Sequence, residues 1–129
     1  MTKSQSIYED LVNASARLKE ALLLPSENII NQDATIQRFE FTFELAWKLM
    51  QEVLIENRVN TSRGVKTIIR DSANLGIVDD PSAWIKFLED RNLTAHTYKE
   101  DEARSIYKDI KDFPVLFDNL VQKAKDFIV

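Results

Sequence analysis

The sequence predicts an all-α protein, an antiparallel up-and-down four-helix bundle with an additional short helix. Glycine and proline, which interrupt helices most strongly, number only two and three among 129 residues. Apolar residues recur at helical spacing through four long segments, and the stretches between these segments are short. Such helices bury their apolar stripes most simply by packing side by side. No repeat, low-complexity tract or linker divides the chain, so residues 1–129 are expected to form a single domain.

Two long helices are predicted in the amino-terminal half. Residues 4–23 form the first helix, which ends before Pro25. Asp33 is expected to cap a second helix that runs to about Asn57, because a short carboxylate side chain satisfies free backbone N–H groups. The main apolar stripe of this second helix consists of Ile36, Phe39, Phe43, Ala46, Trp47, Met50 and Leu54.

A short helix and its boundaries come next in the chain. Thr61 or Ser62 is expected to start this helix, which runs to Leu75. Gly76 is a good stop signal because glycine adopts the left-handed backbone conformation without strain.

The carboxy-terminal third predicts two more long helices. Asp80 followed by Pro81 is a strong helix start, with the cap followed by a first-turn proline, and this helix should end near Tyr98. From about Asp101 the apolar stripe stays in phase across Pro114, which predicts one long helix kinked at the proline. The members of this stripe are Ala103, Ile106, Tyr107, Ile110, Phe117, Val121, Ala124 and Ile128.

Composition limits the function classes. Hydrophobic residues at 44% and charged residues at 29% are typical of a globular protein, and no apolar run approaches the ~20 residues that span a bilayer. The amino terminus leads into no signal-peptide core, so a cytoplasmic location is expected. The chain contains no cysteine and one histidine, which argues against thiolate or histidine-rich metal sites. A net charge of −4 argues against a general nucleic-acid-binding surface, so any RNA binding should be local.

The segment Asp90-Arg-Asn-Leu-Thr-Ala-His-Thr-Tyr98 is the strongest candidate site. His96 is the only histidine in the chain, and an imidazole both gives and takes protons near neutral pH. Arg91 supplies a permanent planar donor fork suited to phosphate. Asn92 and His96 are four residues apart, which places the amide and the imidazole side by side on a helix. This combination is typical of a site that cleaves phosphodiesters.

Arg91 lies within a predicted apolar stripe formed by Trp84, Phe87, Leu88, Ala95 and Tyr98. A guanidinium there needs a carboxylate partner, a groove open to water or a second subunit. Glu40 and Glu44, an i, i+4 pair at the edge of the core stripe, are candidate partners, and they could also serve as an acid-base pair or as metal ligands. In the structural interpretation, Arg91 simply forms an ion pair with one of them.

Other functional motifs are missing from the sequence. It contains no glycine-rich phosphate loop, Gly-x-Ser-x-Gly elbow or His-Glu-x-x-His motif, so no cofactor is expected. The Gly-Ser dipeptide and paired aspartates of nucleotidyltransferases are also missing, so the chain should not transfer nucleotides itself. Trp47 and the other large aromatic residues are interpreted as packing rather than as ligand platforms.

Two motifs carry a family resemblance. Arg-Asn-x-x-x-His-x-Tyr, at residues 91–98, resembles the signature of HEPN domains and of HepT-like toxins paired with minimal nucleotidyltransferases. The stretch from Gln37 to Met50, Gln-Arg-Phe-Glu-Phe-Thr-Phe-Glu-Leu-Ala-Trp-Lys-Leu-Met, resembles the hallmark segment of the nucleotidyltransferase substrate-binding protein family. The resemblance covers nearly the whole chain and implies the same helical bundle.

The resemblance implies one of two functions. In the first, the chain is the toxin of a toxin-antitoxin pair and a metal-independent endoribonuclease, in which His96 transfers protons, Arg91 stabilises charge and Asn92 orients the phosphate. Its partner, a minimal nucleotidyltransferase, would add AMP to Tyr98 and silence the nuclease. In the second, the chain is a non-catalytic substrate-binding subunit of a two-chain nucleotidyltransferase.

Assembly can also be predicted. Phe41 and Leu45 form a second apolar patch on the second helix, on the side opposite its main stripe, and suggest contact with two neighbours. This patch and the arginine within an apolar stripe favour a homodimer, in which two copies of the motif line one cleft.

Overall fold

The computed structural model describes residues 1–61, 64–94 and 99–128. These residues form six α-helices and one short 3₁₀ helix, and no strand occurs among them, so the predicted all-α class is confirmed. In chain order the helices are α1 (Lys3–Leu22), α2 (Ile29–Glu56), α3 (Val65–Leu75), α4 (Pro81–Thr94), α5 (Glu100–Ile110) and α6 (Phe113–Ala124), followed by the 3₁₀ turn Lys125–Phe127. Within this described part of the chain, no helix combines the length and apolar character of a membrane span.

The start of α2 differs from the prediction. Asn28 caps this helix, and its Oδ1 accepts hydrogen bonds from the backbone N–H groups of Ile30 at 2.8 Å and Asn31 at 3.3 Å. Asp33 lies inside the helix and is not its cap. The predicted start was too late because the polar run from Asn31 to Asp33 interrupts the apolar stripe, which then appears to begin at Ile36. The predicted end is correct, since Asn57 is the C-cap.

The start of α3 also differs from the prediction, whereas its end is confirmed. Gly64 is the N-cap, and the hydroxyl of Thr61 donates instead to Asp71 Oδ2 at 2.9 Å. Ser62, the other predicted start, lies outside the described residues. Gly76 ends the helix with φ at 102°, the left-handed conformation expected of it.

The predicted start of α4 is confirmed. Asp80 Oδ1 accepts a hydrogen bond from the backbone N–H of Ala83 at 3.1 Å, and Pro81 is the first helical residue. The described part of the helix ends at Thr94, and its predicted end near Tyr98 lies outside the described residues.

The prediction of one long carboxy-terminal helix was wrong. The chain instead forms α5 and α6, separated at residues 111–112, with Pro114 in the first turn of α6. Proline has no N–H, and its ring clashes with the carbonyl four residues earlier, here that of Ile110, so the first helix ends there. The apolar residues of α5 and α6 both face the core, so the helical spacing of apolar residues continues through residues 111–112 although the helix does not.

The core surrounds α2, which contacts every other α-helix. At its centre is the fully buried ring of Phe113, whose centroid lies 5.1 Å from those of Phe39 and Phe87 and 5.4 Å from that of Trp84. Such tilted and edge-on arrangements are favourable for aromatic pairs. The core therefore fixes α2, α4 and α6 against one another, and the first two of these helices carry the candidate site.

The second apolar patch of α2 is partly covered within the chain itself. The Arg17 guanidinium lies 5.6 Å from the centroid of the Phe41 ring, and Leu45 packs against the core. Both residues of the patch therefore have contacts within the chain, and the homodimer that the patch was taken to favour stays a prediction.

Candidate functional site

Arg91, in the last turn of the described part of α4, is held by a carboxylate of α2. Its Nη2 donates a hydrogen bond to Glu44 Oε2 at 2.5 Å, and the two side chains are 29% and 33% exposed. Its Nη1 donates to Asn92 Oδ1 at 3.0 Å. The carboxylate partner that the apolar stripe required is therefore Glu44, and this ion pair is part of the packing between the two helices. The remaining exposure leaves one side of the guanidinium open to water.

Glu44 is itself held by a second donor. Trp47 Nε1 donates to the same oxygen, Glu44 Oε2, at 2.9 Å. Trp47 is half-buried and packs against the core, as predicted, and its ring nitrogen also fixes the carboxylate. The i, i+3 spacing of glutamate and tryptophan on one helix was the signal that could have revealed this contact. Because hydrogen bonds to a charged group are strong, the three side chains form a well-ordered unit.

Beside this unit lies a cleft between α2, the end of α4 and α5. It has a volume of about 180 Å³ and is lined by Asp33, Ile36, Gln37, Glu40, Thr94, Ala103 and Ile106. Thr94 connects the two features, because its hydroxyl donates to the backbone carbonyl of Arg91 at 2.6 Å. Glu40, the alternative partner proposed for Arg91, lines this cleft instead. Glu40 and Asp33 give the cleft an acidic wall, whereas the two isoleucines give it an apolar one.

The remaining predicted site residues, His96 and Tyr98, lie outside the described residues, as does Ala95 of the predicted stripe. Among the described residues, the structure brings Arg91 and Asn92 together with Glu44, and it places Glu40 at the neighbouring cleft. The roles predicted for His96 and Tyr98 stay predictions.

A buried carboxyl group next to Arg91 was not predicted from the sequence. Asp90 is only 7% exposed, and burial raises its pKa to about 7, with a hydrogen bond to the Asp109 side chain and repulsion from that carboxylate as further causes. A buried acid with a neighbouring acid resists ionisation. Spacing within one helix could not reveal this pair, because Asp109 comes from α5.

The protein is therefore a helical bundle with a cleft beside a half-buried arginine that is ion-paired to a glutamate. The chain belongs to the family described as nucleotidyltransferase substrate binding protein like, whose sequence profile matches residues 6–126. The family resemblance of the sequence motifs is therefore confirmed.

Individual relatives agree with this assignment. The chain is 34% identical over 94 residues to a protein of Haemophilus influenzae named probable ribonuclease HepT, and this match covers 70% of the chain and 64% of that relative. A crystal structure of a protein from Thermus thermophilus is similar with a TM-score of 0.80 at 33% identity, covering 87% of this chain and 96% of that one. A second structure, from Haemophilus influenzae, is described as revealing the fold of a substrate binding domain of a nucleotidyltransferase. It matches with a TM-score of 0.72 at 27% identity over 95% of this chain and 96% of that one.

Proposed function

We propose that this chain is the HEPN-family partner subunit of a minimal nucleotidyltransferase, of the toxin-antitoxin type, working in the cytoplasm. We further propose that it is a metal-independent endoribonuclease that acts through Arg91, Asn92 and His96. The observation that carries the proposal is the position of Arg91, a partly exposed guanidinium fixed by Glu44 and bonded to Asn92. The similarity to a probable ribonuclease supports the same conclusion.

The chemistry follows from these side chains. The 2′-hydroxyl of a ribose would attack the adjacent phosphorus, and the bond from phosphorus to the 5′-oxygen would break, leaving a 2′,3′-cyclic phosphate and a free 5′-hydroxyl. His96 would transfer protons between the attacking and leaving oxygens, as an imidazole can near neutral pH. Arg91 would stabilise the additional negative charge of the transition state, and Asn92 would orient the phosphate.

A second candidate function is favoured by a different observation. The charge of Arg91 is already balanced by Glu44, and Asp33 and Glu40 line the neighbouring cleft. Carboxylates repel phosphate groups, so this surface is less suited to RNA than a free arginine would be. In this alternative, the chain is a non-catalytic substrate-binding subunit, and the cleft holds the substrate of the partner nucleotidyltransferase.

Cleavage of RNA by the purified protein tests the first function against the second. Unmodified wild-type protein should cleave single-stranded RNA in excess chelator and leave 2′,3′-cyclic phosphate ends, detected by mass spectrometry of the fragments. Lack of cleavage across RNAs of varied sequence, by clean and unmodified protein, would favour the substrate-binding function. Cleavage that requires a divalent metal would contradict the mechanism.

We also propose that the chain forms a homodimer in which two copies of the motif line one cleft. Leu93, the residue after Asn92, supports this because it is a large apolar residue that is 54% exposed beside the site. Light scattering at micromolar concentration should therefore give twice the mass of 14.9 kDa. Leu93→Asp should shift the protein toward the monomer mass, since a charge would be buried at the interface. A monomer mass for wild type would remove the basis for a composite cleft.

Tyr98 is proposed as the acceptor of AMP from the partner nucleotidyltransferase. With the partner, ATP and magnesium, the mass of the chain should rise by whole AMP units, and Tyr98→Phe should abolish this labelling because it removes only the acceptor oxygen. Tyr8→Phe, which removes the hydroxyl of a half-buried tyrosine on α1, is the matched control and should leave labelling unchanged. Undiminished labelling of Tyr98→Phe in intact-mass spectra would exclude this acceptor.

A further inference from the structure

Two acidic side chains meet where α4 packs on α5. The carboxyl group of Asp90 on α4 lies within hydrogen-bonding reach of that of Asp109 on α5. Asp90 is 7% exposed, and its Oδ2 is buried without a conventional donor. Two ionised carboxylates cannot hydrogen-bond to each other, because each only accepts. A hydrogen bond between the two groups therefore requires one proton.

No nearby cation that the structure describes fully offsets the negative charge that both carboxylates would carry if ionised. On α4, Lys86 lies with its Nζ 3.6 Å from Asp109 Oδ1, but its side chain is 63% exposed, and Glu89 adds a further negative charge. On α5, Glu102 lines a pocket of about 150 Å³ together with Asp90. The nearest guanidinium in the sequence, that of Arg91, is bound to Glu44 of α2. The net charge of the groups around Asp90 is negative, which favours the neutral form of its carboxyl group.

We propose that Asp90 is a positioning residue, whose protonated carboxyl donates to Asp109 and thereby holds the end of α4 and Arg91 in place. The effect on RNA cleavage rests on the function proposed above, whereas the effect on Arg91 does not. Burial and the neighbouring acid raise the pKa of Asp90 to about 7, so the proton is present in weakly acidic solution and is lost in weakly basic solution. Its loss replaces a hydrogen bond by repulsion between the two helices.

The raised pKa of Asp90 makes the stability of the folded chain depend on pH. Because the pKa of Asp90 is higher in the folded chain than the ordinary 3.8, the folded state holds a proton between these values that the unfolded state has lost. This contribution to stability therefore increases as the pH falls from about 7 toward 3.8, and it is absent above about 7.

NMR measurements on the wild-type protein provide the test. The carboxyl carbon of Asp90 should titrate with a midpoint near 7. The side-chain nitrogen signals of Arg91 should shift with the same midpoint. In Asp90→Asn the amide donates to Asp109 at every pH, so the shift of Arg91 near pH 7 should disappear. Glu100→Gln, which removes an exposed charge from the first turn of α5, should leave it unchanged.

The variant Asp109→Asn and a measurement of RNA cleavage distinguish failure of the Asp90 proposal from failure of the ribonuclease proposal. In Asp109→Asn the amide donates to the Asp90 carboxylate, which should return the midpoint of Asp90 toward its ordinary value. A midpoint below about 5 for wild-type Asp90, or an Arg91 signal that does not follow it, would overturn the proposal. Loss of the acid form of His96 should lower RNA cleavage above neutral pH in every variant, so Asp90→Asn should show a shallower decline than wild type, and identical pH profiles of the two would equally count against the proposal. If wild type cleaves no RNA, the ribonuclease proposal fails, and the NMR result still decides the role of Asp90.

Discussion

Replacement of His96 by alanine should lower the rate of RNA cleavage by a factor of about 10²–10⁴, the range typical of a lost general acid or base. Arg91→Ala should cause a loss of about 10²–10³, comparable to the removal of one group that stabilises transition-state charge. Single-turnover cleavage rates at saturating protein measure both effects without a contribution from weakened RNA binding.

The matched variants for this experiment follow from the contacts of Arg91. Arg91→Lys keeps the charge but loses the planar fork that bonds Glu44 and Asn92 together, so it should recover only part of the activity. Lys125→Ala removes an exposed cation after α6 and should leave the rate unchanged. Thermal melts of each variant check that the fold is intact. Equal cleavage by His96→Ala, Arg91→Ala and wild type would identify a contaminating nuclease.

Replacement of Phe113 by alanine should lower the free energy of unfolding by about 3–5 kcal/mol. Its ring is fully buried and contacts those of Phe39, Phe87 and Trp84, so truncation leaves a cavity among large side chains from α2 and α4. Denaturant unfolding followed by circular dichroism measures the change.

Val115→Ala is the control for this measurement, because Val115 lies on the same helix and is 74% exposed. It should change stability by no more than about 0.5 kcal/mol. A change for Phe113→Ala as small as that of the control would mean that the aromatic cluster is not the centre of the core.

Much of the fold could be predicted because its signals are local. The apolar stripes of α1 and α2, the cap and proline at the start of α4, and the left-handed glycine after α3 all act within a few residues. The pairing of Arg91 with Glu44 could be foreseen as one of two choices, since a charge inside an apolar stripe requires a partner.

The features that could not be predicted depend on packing between distant segments or on competition between local signals. Periodicity continues through residues 111–112, although the ring of Pro114 ends the helix before them. The contact of Asp90 with Asp109 depends on how α4 lies against α5, which no spacing within either helix reveals. Asn28 was missed as a cap because the polar run from Asn31 to Asp33 interrupts the apolar stripe after it.

The ion pair between Arg91 and Glu44 has a consequence for substrate discrimination. A phosphate group that approaches this guanidinium competes with a carboxylate already bound to it at 2.5 Å. A ground-state phosphodiester carries a single negative charge and gains little from that exchange, whereas the pentacoordinate state carries more charge and gains more. Interactions that strengthen only in the transition state raise the turnover rate without tightening the binding of substrate. Under the ribonuclease proposal, Glu44 would therefore weaken RNA affinity and favour rapid release of intact, uncleaved RNA.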